Sequence, residues 1–426
     1  MKRRCALMTA FALVVTLCAC APRGETVLKI GVYSGSYWET PNGDCYQLLD
    51  RVIDRFEREH DGVRVEYVSG ITTDSYSEWL SEQILKGAEP DAYFVLPEDF
   101  NLLVACGALA RLDALMDDDA SFDASLYYSP CLQAGAFESG QYALPHESVP
   151  TMMFVNKTLL ERNGISMPGN DWTWDDFYDI CQRVTNVEAR QFGAYDYTWL
   201  HALYANGASL FSPDGTACYL SDERIQDAIQ FVKSLNELNG GYQVTARDFD
   251  IGNVAFRPFL FSEYRAYQPY PWRVKKYSSF QWDCVSMPAG PHGDNISELH
   301  TMLLGISSRT RHRALAWELC KLLSIDAETQ KQLYAYSRGI SPLRAVAEDR
   351  EITAQLRAEI PGGNAVGLDA ISKIMSTAVS APRFDGYEQA LMMAENAVAD
   401  AMALDRTRGN GLISAQREIN VFLGKF

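Results

Sequence analysis

Apolar and polar positions alternate in a regular way along the first third of this chain. Val27-Leu28-Lys29-Ile30-Gly31-Val32 reads as a strand, with Tyr33 to Trp38 as the loop at its carboxyl end. From Tyr46 to His60, Leu48, Leu49, Val52, Ile53 and Phe56 recur at helical spacing and define one buried face. Val63 to Val68 alternates as a second strand. Ser75 to Lys86 follows as a helix with Tyr76, Trp79, Leu80 and Ile84 on its apolar side and Gly87 as its stop. A short apolar strand, Ala92 to Leu96, closes the series, and such alternation predicts an α/β domain with a largely parallel sheet.

The pattern then changes. In the stretch from Gly140 to Lys157, Pro145 and Pro150 exclude a helix interior and Met152 to Val155 reads as a buried strand. A polar His146-Glu147-Ser148 therefore sits inside an extended crossing. Beyond it, Asn156 to Asn163 reads as a helix stopped by Gly164, Thr173 to Phe177 opens another with capping-box spacing, and Trp199 to Ala205 is a short helix. Ser221 is the expected cap of a long helix burying Ile225, Ile229, Val232, Leu235 and Leu238. Asn253 to Phe256, Phe280 to Val285 and Thr301 to Ser307 read as strands, and Arg311 to Ile325 as a helix. Tyr264 to Trp272 is denser in aromatic rings than a core helix requires, and Pro269 and Pro271 make it irregular. The remainder is helical, broken near Gly362 and Pro382.

The first 19 residues add a compartment. Lys2, Arg3 and Arg4 precede an uncharged run from Cys5 to Ala19, the pattern of an export signal. Cleavage before Cys20 leaves 407 residues (426 minus 19), a length for two to three domains, with no later stretch of transmembrane length. Residues 20–26 are small and polar, a tether. The formal charge is −17, or −20 once Lys2, Arg3 and Arg4 are removed (−17 minus 3), which argues against a nucleic-acid partner. Seven widely spaced cysteines follow Cys20, an odd number with no Cys-x-x-Cys pair, so buried thiols are expected. The six histidines are scattered without ligand spacing, so no metal and no cofactor is expected. Asp117, Asp118 and Asp119 form a charge run expected in a solvated loop.

Several motifs carry a resemblance. Gly140-Gln141-Tyr142-Ala143-Leu144-Pro145, a strand, then Phe154-Val155-Asn156-Lys157-Thr158-Leu159-Leu160 resembles the domain crossover of the family 1 extracellular solute-binding proteins of ABC importers, the maltose-binding-protein-like group. Gly87 to Phe94, Gly107 to Asp113 and Thr173-Trp174-Asp175 resemble further family segments, and Met287-Pro288-Ala289-Gly290-Pro291-His292-Gly293 resembles its second crossover. Gly339 to Arg344 is similar to a later family segment, with Ser341 in place of a proline. Leu17-Cys18-Ala19-Cys20 resembles a lipobox, which implies lipidation of Cys20 and a membrane anchor.

The resemblance implies a two-lobed periplasmic-binding-protein type II fold with a ligand cleft between discontinuous lobes. Lobe 1 would hold residues 27–144 and about 288–335, and lobe 2 residues 145–287 and about 336–426. It implies a monomeric, extracytoplasmic receptor that delivers a small-molecule solute to permease subunits. A sugar site pairs carboxylates, which accept hydroxyl bonds, with flat rings, which cover C–H faces. That pairing stands at the expected cleft loops in Tyr37, Trp38, Glu98, Asp99, Glu147, Trp199, Tyr270 and Trp272. Asp99 reads equally as a helix N-cap, and the rings of Trp199 and Trp272 also have a core reading. Glu298-Leu299-His300-Thr301 departs from the family's small, glycine-rich stretch and makes His300 a candidate, and Arg338 is another. Two alternatives stay open: an exported carbohydrate-active enzyme with paired carboxylates, and a receptor for a non-sugar solute such as a polyamine.

Overall fold

The computed structural model describes residues 25–38, 44–267, 280–359, 366–404 and 410–425. The export signal, Cys20, Tyr270 and Trp272 lie outside the described residues.

Ten strands are present among the described residues: β1 (Thr26–Gly31), β2 (Val63–Glu66), β3 (Ala92–Val95), β4 (Ala136–Phe137), β5 (Gly140–Gln141), β6 (Ala143–Asn156), β7 (Phe192–Ala194), β8 (Val254–Leu260), β9 (Trp282–Val285) and β10 (Leu299–Ile306). The main sheet runs β2-β1-β3-β10-β6-β8-β7, with β9 also on β6, and β4 and β5 pair separately. The expected parallel pairing holds for β1 with β2 and β3 and for β7 with β8. Strand β10 is antiparallel to β3 and β6, and β6 is antiparallel to β8 and β9.

Strand β6 is the axis of the molecule. All 14 of its residues are buried, His146, Glu147 and Ser148 included. Its first half, Ala143 to Pro150, pairs with β10, and its second half, Thr151 to Asn156, pairs with β8 and β9. Two bodies are therefore built on one strand. The first packs β1 against the helices Gln47–Glu59 and Arg313–Ser324 through Leu28, Val52, Phe56, Trp317 and Leu323. The second packs Val155 and Phe256 against Phe177, Ile229 and the last two helices, Tyr387–Ala403 and Asn410–Leu423. A third apolar cluster lies on both halves of β6, from Tyr76 and Tyr93 through Val149 to Phe154, Phe259 and Met375. This is a mixed α/β fold of two lobes, as expected.

Local details correct the sequence reading. The long helix is Glu223–Glu237, and its cap is Asp222, whose side chain accepts from the Arg224 N–H, while Leu238 is only half-buried. Ser221 instead bonds Gln416. The aromatic-rich stretch opens with a helix, Phe261–Ala266, in which Tyr264 is a buried core ring. Asp119 is not a solvated charge: it accepts from Lys321 Nζ, Trp317 Nε1 and Ser121. Five thiols are buried as expected, Cys45 is half-buried and Cys106 exposed.

Candidate functional site

Three segments meet beside the middle of β6. The loop after β1 brings Tyr33, Tyr37 and Trp38, and the loop after β3 brings Glu98 and Asp99. These are carboxyl ends of parallel strands, where α/β sheets present their loops to ligands. The third segment, Ser337 to Ile340, follows the helix Ala327–Tyr336 and bridges to β6 through paired bonds between Ser148 and Ile340. A cavity of about 70 Å³ lies among them, lined by Tyr33, Tyr37, Trp38, Cys45, Glu147 and Ser337 with other residues.

Glu147 is only 5% exposed. β10 and β6 fall out of register here: Met302 pairs Glu147 while Leu303 pairs Pro145, so His146 has no opposite residue. That irregularity lets both His146 and Glu147 line the same cavity. Burial raises the Glu147 carboxyl above its ordinary range, and the Ser337 hydroxyl, the Gly339 N–H and the charge of Arg265 pull it back. The Trp38 indole N–H pulls the same way, although it is buried short of a hydrogen bond of normal geometry. Gly339 is required by closeness: a Cβ there would stand 2.0 Å from Glu147 Oε1. The His146 Nδ1–H donates to the Leu323 carbonyl at 2.9 Å, and burial pushes its imidazole down to about 4.

Tyr37 donates to Glu98 Oε2 at 2.8 Å and sits edge-on to Trp38, ring centroids 5.0 Å apart. Burial and the Glu98 charge both raise the Tyr37 phenol. Asp99 stands at the N-cap position of the helix Phe100–Ala105 but makes no capping bond; its carboxylate takes a 2.6 Å bond from the Ser77 hydroxyl. Its pKa is raised, chiefly by burial.

The other predicted residues lie apart from this cavity. Trp199 begins the helix Trp199–Ala205 and is packed in the core of the second lobe, 8% exposed. His300 is half-buried on β10, its Nε2 3.8 Å from Glu298. Arg338 is half-buried, 3.8 Å from Glu359. Tyr33, Ser337, Gly339, Arg265 and Arg383 were not singled out from the sequence. Arg383 precedes the helix Tyr387–Ala403, donates to the Pro97 carbonyl at 2.9 Å and lies over the Phe100 ring. Burial lowers its pKa, and its Nε–H has no partner. Tyr33 opens the loop expected after the first strand, Arg265 lies in the aromatic-dense stretch and Gly339 opens a family-like segment, whereas no sequence signal marked Ser337 or Arg383.

The family model for bacterial extracellular solute-binding proteins matches residues 41–326. This chain belongs to that family. A binding protein of Brucella abortus (strain 2308) is 20% identical over 407 residues, 90% of each chain. Among solved structures, the cyclic α-maltosyl-1,6-maltose binding protein of Arthrobacter globiformis superposes with a TM-score of 0.79 at 16% identity, covering 95% of this chain and 100% of that one. The sugar-binding protein MalE of Xanthomonas citri gives 0.75 at 14% identity, over 94% and 98%. A Listeria monocytogenes ABC substrate-binding protein solved with cycloalternan gives 0.70 at 19%, over 94% and 99%. At such identities the family's shared feature is its fold. The family is extracellular, and among the described residues no helix is long and apolar enough to cross a membrane.

Proposed function

We propose that this chain is the substrate-binding lipoprotein of an ABC importer and that it captures a sugar or oligosaccharide between its lobes. Residues 27–144 with about 288–335 move as lobe 1, and 145–287 with about 336–426 as lobe 2. Closure is driven by contacts of the solute to both. Cys20, lipidated after removal of residues 1–19, tethers the monomer to the outer face of the cell membrane, where permease subunits receive the solute. No catalytic step is assigned to the chain.

The observation that carries this reading is the convergence of Tyr37, Trp38 and Glu147 on one cavity beside β6, with Glu98 bonded to Tyr37. Rings beside carboxylates suit a ligand with C–H faces and hydroxyl edges. The named ligands of the structural neighbours, cycloalternan and maltotetraose among them, are of that class. Tyr270, Trp272, His300 and Arg338 remain proposed contributors from the rest of the cleft. The acids also favour a second reading, a polyamine receptor, because Glu98, Asp99 and Glu147 are all close to aromatic rings.

A thermal-shift screen of the mature chain against oligosaccharides and polyamines tests the proposal. A solute at about 100 times its dissociation constant adds roughly 2.7 kcal/mol to stability. A shift with an oligosaccharide recovered intact supports the sugar receptor. A cleaved sugar turns the reading to an enzyme, and a shift with spermidine alone turns it to a cation receptor.

A further inference from the structure

Glu147 owes its closest hydrogen bonds to Ser337 and Gly339, and what holds that segment in place is an arginine from the helix after β8. Arg265 sits in the helix Phe261–Ala266, directly after β8, the strand paired with the second half of β6. Its side chain has no exposed surface. The guanidinium grips Glu359 in a fork, Nε at 3.2 Å and Nη2 at 2.6 Å, both to Oε2. Its remaining donors reach three carbonyls: Ser337 and Gly339 at 3.3 Å and Tyr334 at 3.4 Å. The Tyr334 carbonyl lies in the last turn of the helix Ala327–Tyr336, where a cation is favoured by the exposed carbonyl ends.

The helix Ala327–Tyr336 packs on Gln47–Glu59, while Phe261 and Tyr264 of the Arg265 helix lie in the third apolar cluster beside Tyr334 and Ile340. One fixed side chain therefore joins the helix after β8 to the very segment that covers the Glu147 carboxylate. Arginine suits the task because its planar fork satisfies a carboxylate and several carbonyls at once, which a lysine's single ammonium cannot.

We infer that Arg265 is a positioning residue for solute binding: it sets the Ser337–Gly339 segment against the Glu147 carboxylate. This rests on the proposed reading of the chain as a closing receptor. Arg265 acts through Ser337 and Gly339 and does not line the cavity.

The test needs no solute. Cys45 lines the same cavity as Ser337, whereas Cys181 and Cys320 are buried in the cores of the two bodies. Alkylation of the ligand-free mature chain with iodoacetamide, followed peptide by peptide by mass spectrometry, reports cavity opening and global unfolding separately. In R265Q, Cys45 is expected to react about tenfold faster with Cys181 and Cys320 unchanged, since a charge-assisted network is lost locally. R265K should restore part of the protection. E147Q/R265Q should open the cavity no further than R265Q alone, because both changes act on one contact. An unchanged Cys45 rate in R265Q, or a rise matched by Cys181 and Cys320, overturns the inference. The screen against oligosaccharides can fail while this result stands, so the two readings fall separately.

Discussion

At the scale of single residues, the crowding at Glu147 sets the sharpest expectations. A methyl group at position 339 would overlap the carboxylate, at 2.0 Å from Oε1 and 2.3 Å from Cγ. Gly339→Ala should therefore cost about 1–3 kcal/mol, the usual range for overpacking, in urea unfolding. A cost within 0.5 kcal/mol of zero, on the order of an ordinary surface change, would mean that the segment is free to move away. Glu147 itself gives a pH signature. Its folded-state carboxyl lies above the unfolded value of about 4.3, so the fold prefers it protonated. The stability it contributes is complete below that value and is lost as pH rises through the folded one. The unfolding free energy of wild type minus that of E147Q should accordingly fall from about pH 4 to pH 7. A flat difference would place the carboxylate in water. His146 acts in the opposite sense: held down to about 4, it is neutral in the fold and loses stability as pH falls from about 6.5. Taking the difference removes it.

At the scale of elements, the loop 119–122 is pinned to the helix Arg313–Ser324 by Lys321 and Trp317, both bonded to Asp119. Neither charge is well solvated, at 10% and 19% side-chain exposure. Lys321→Met should cost about 1–3 kcal/mol by leaving Asp119 without its cation, measured by urea unfolding at neutral pH. No loss would show the pair to be incidental. The helices and strands were largely legible in the sequence because hydrophobic period and caps are local. The helix Trp199–Ala205 matches its expected range, and Thr173 and Asp176 form the anticipated capping box. What was illegible depends on pairing across long separations. Asp119 looked solvated because Lys321 is distant in the chain, and the capping reading of Asp99 failed because Ser77 competes for its carboxylate. In the site, Tyr37, Trp38 and Glu147 were found because they sit in expected loops or in the crossing, whereas Arg265 was hidden among aromatic residues. Trp199 shows the converse: a ring at an expected cleft loop packs into a core.

At the scale of the whole molecule, the two bodies share β6 and touch again at their edges. Arg383 bonds the Pro97 carbonyl from the segment that leads into the helices of the second core, so it ties the loop after β3, near Tyr37, to that core. Arg383→Ala should let the ligand-free lobes part, read as an increased radius of gyration in small-angle scattering, with the melting temperature falling by only a few degrees, about the effect of 1 kcal/mol. An unchanged radius would assign the contact to local packing alone.

The proposed receptor encloses a sugar between its lobes and releases it unchanged. Calorimetric titration of the mature chain with maltotetraose, cyclic α-glucans and spermidine, with the sugar recovered afterwards and analysed for cleavage, tests this most directly. Saturable binding of an oligosaccharide at one per chain, a negative heat-capacity change from buried apolar surface, and complete recovery of the intact sugar are expected. Binding of spermidine with no heat from any oligosaccharide, or recovery of the sugar in fragments, would contradict the proposed function.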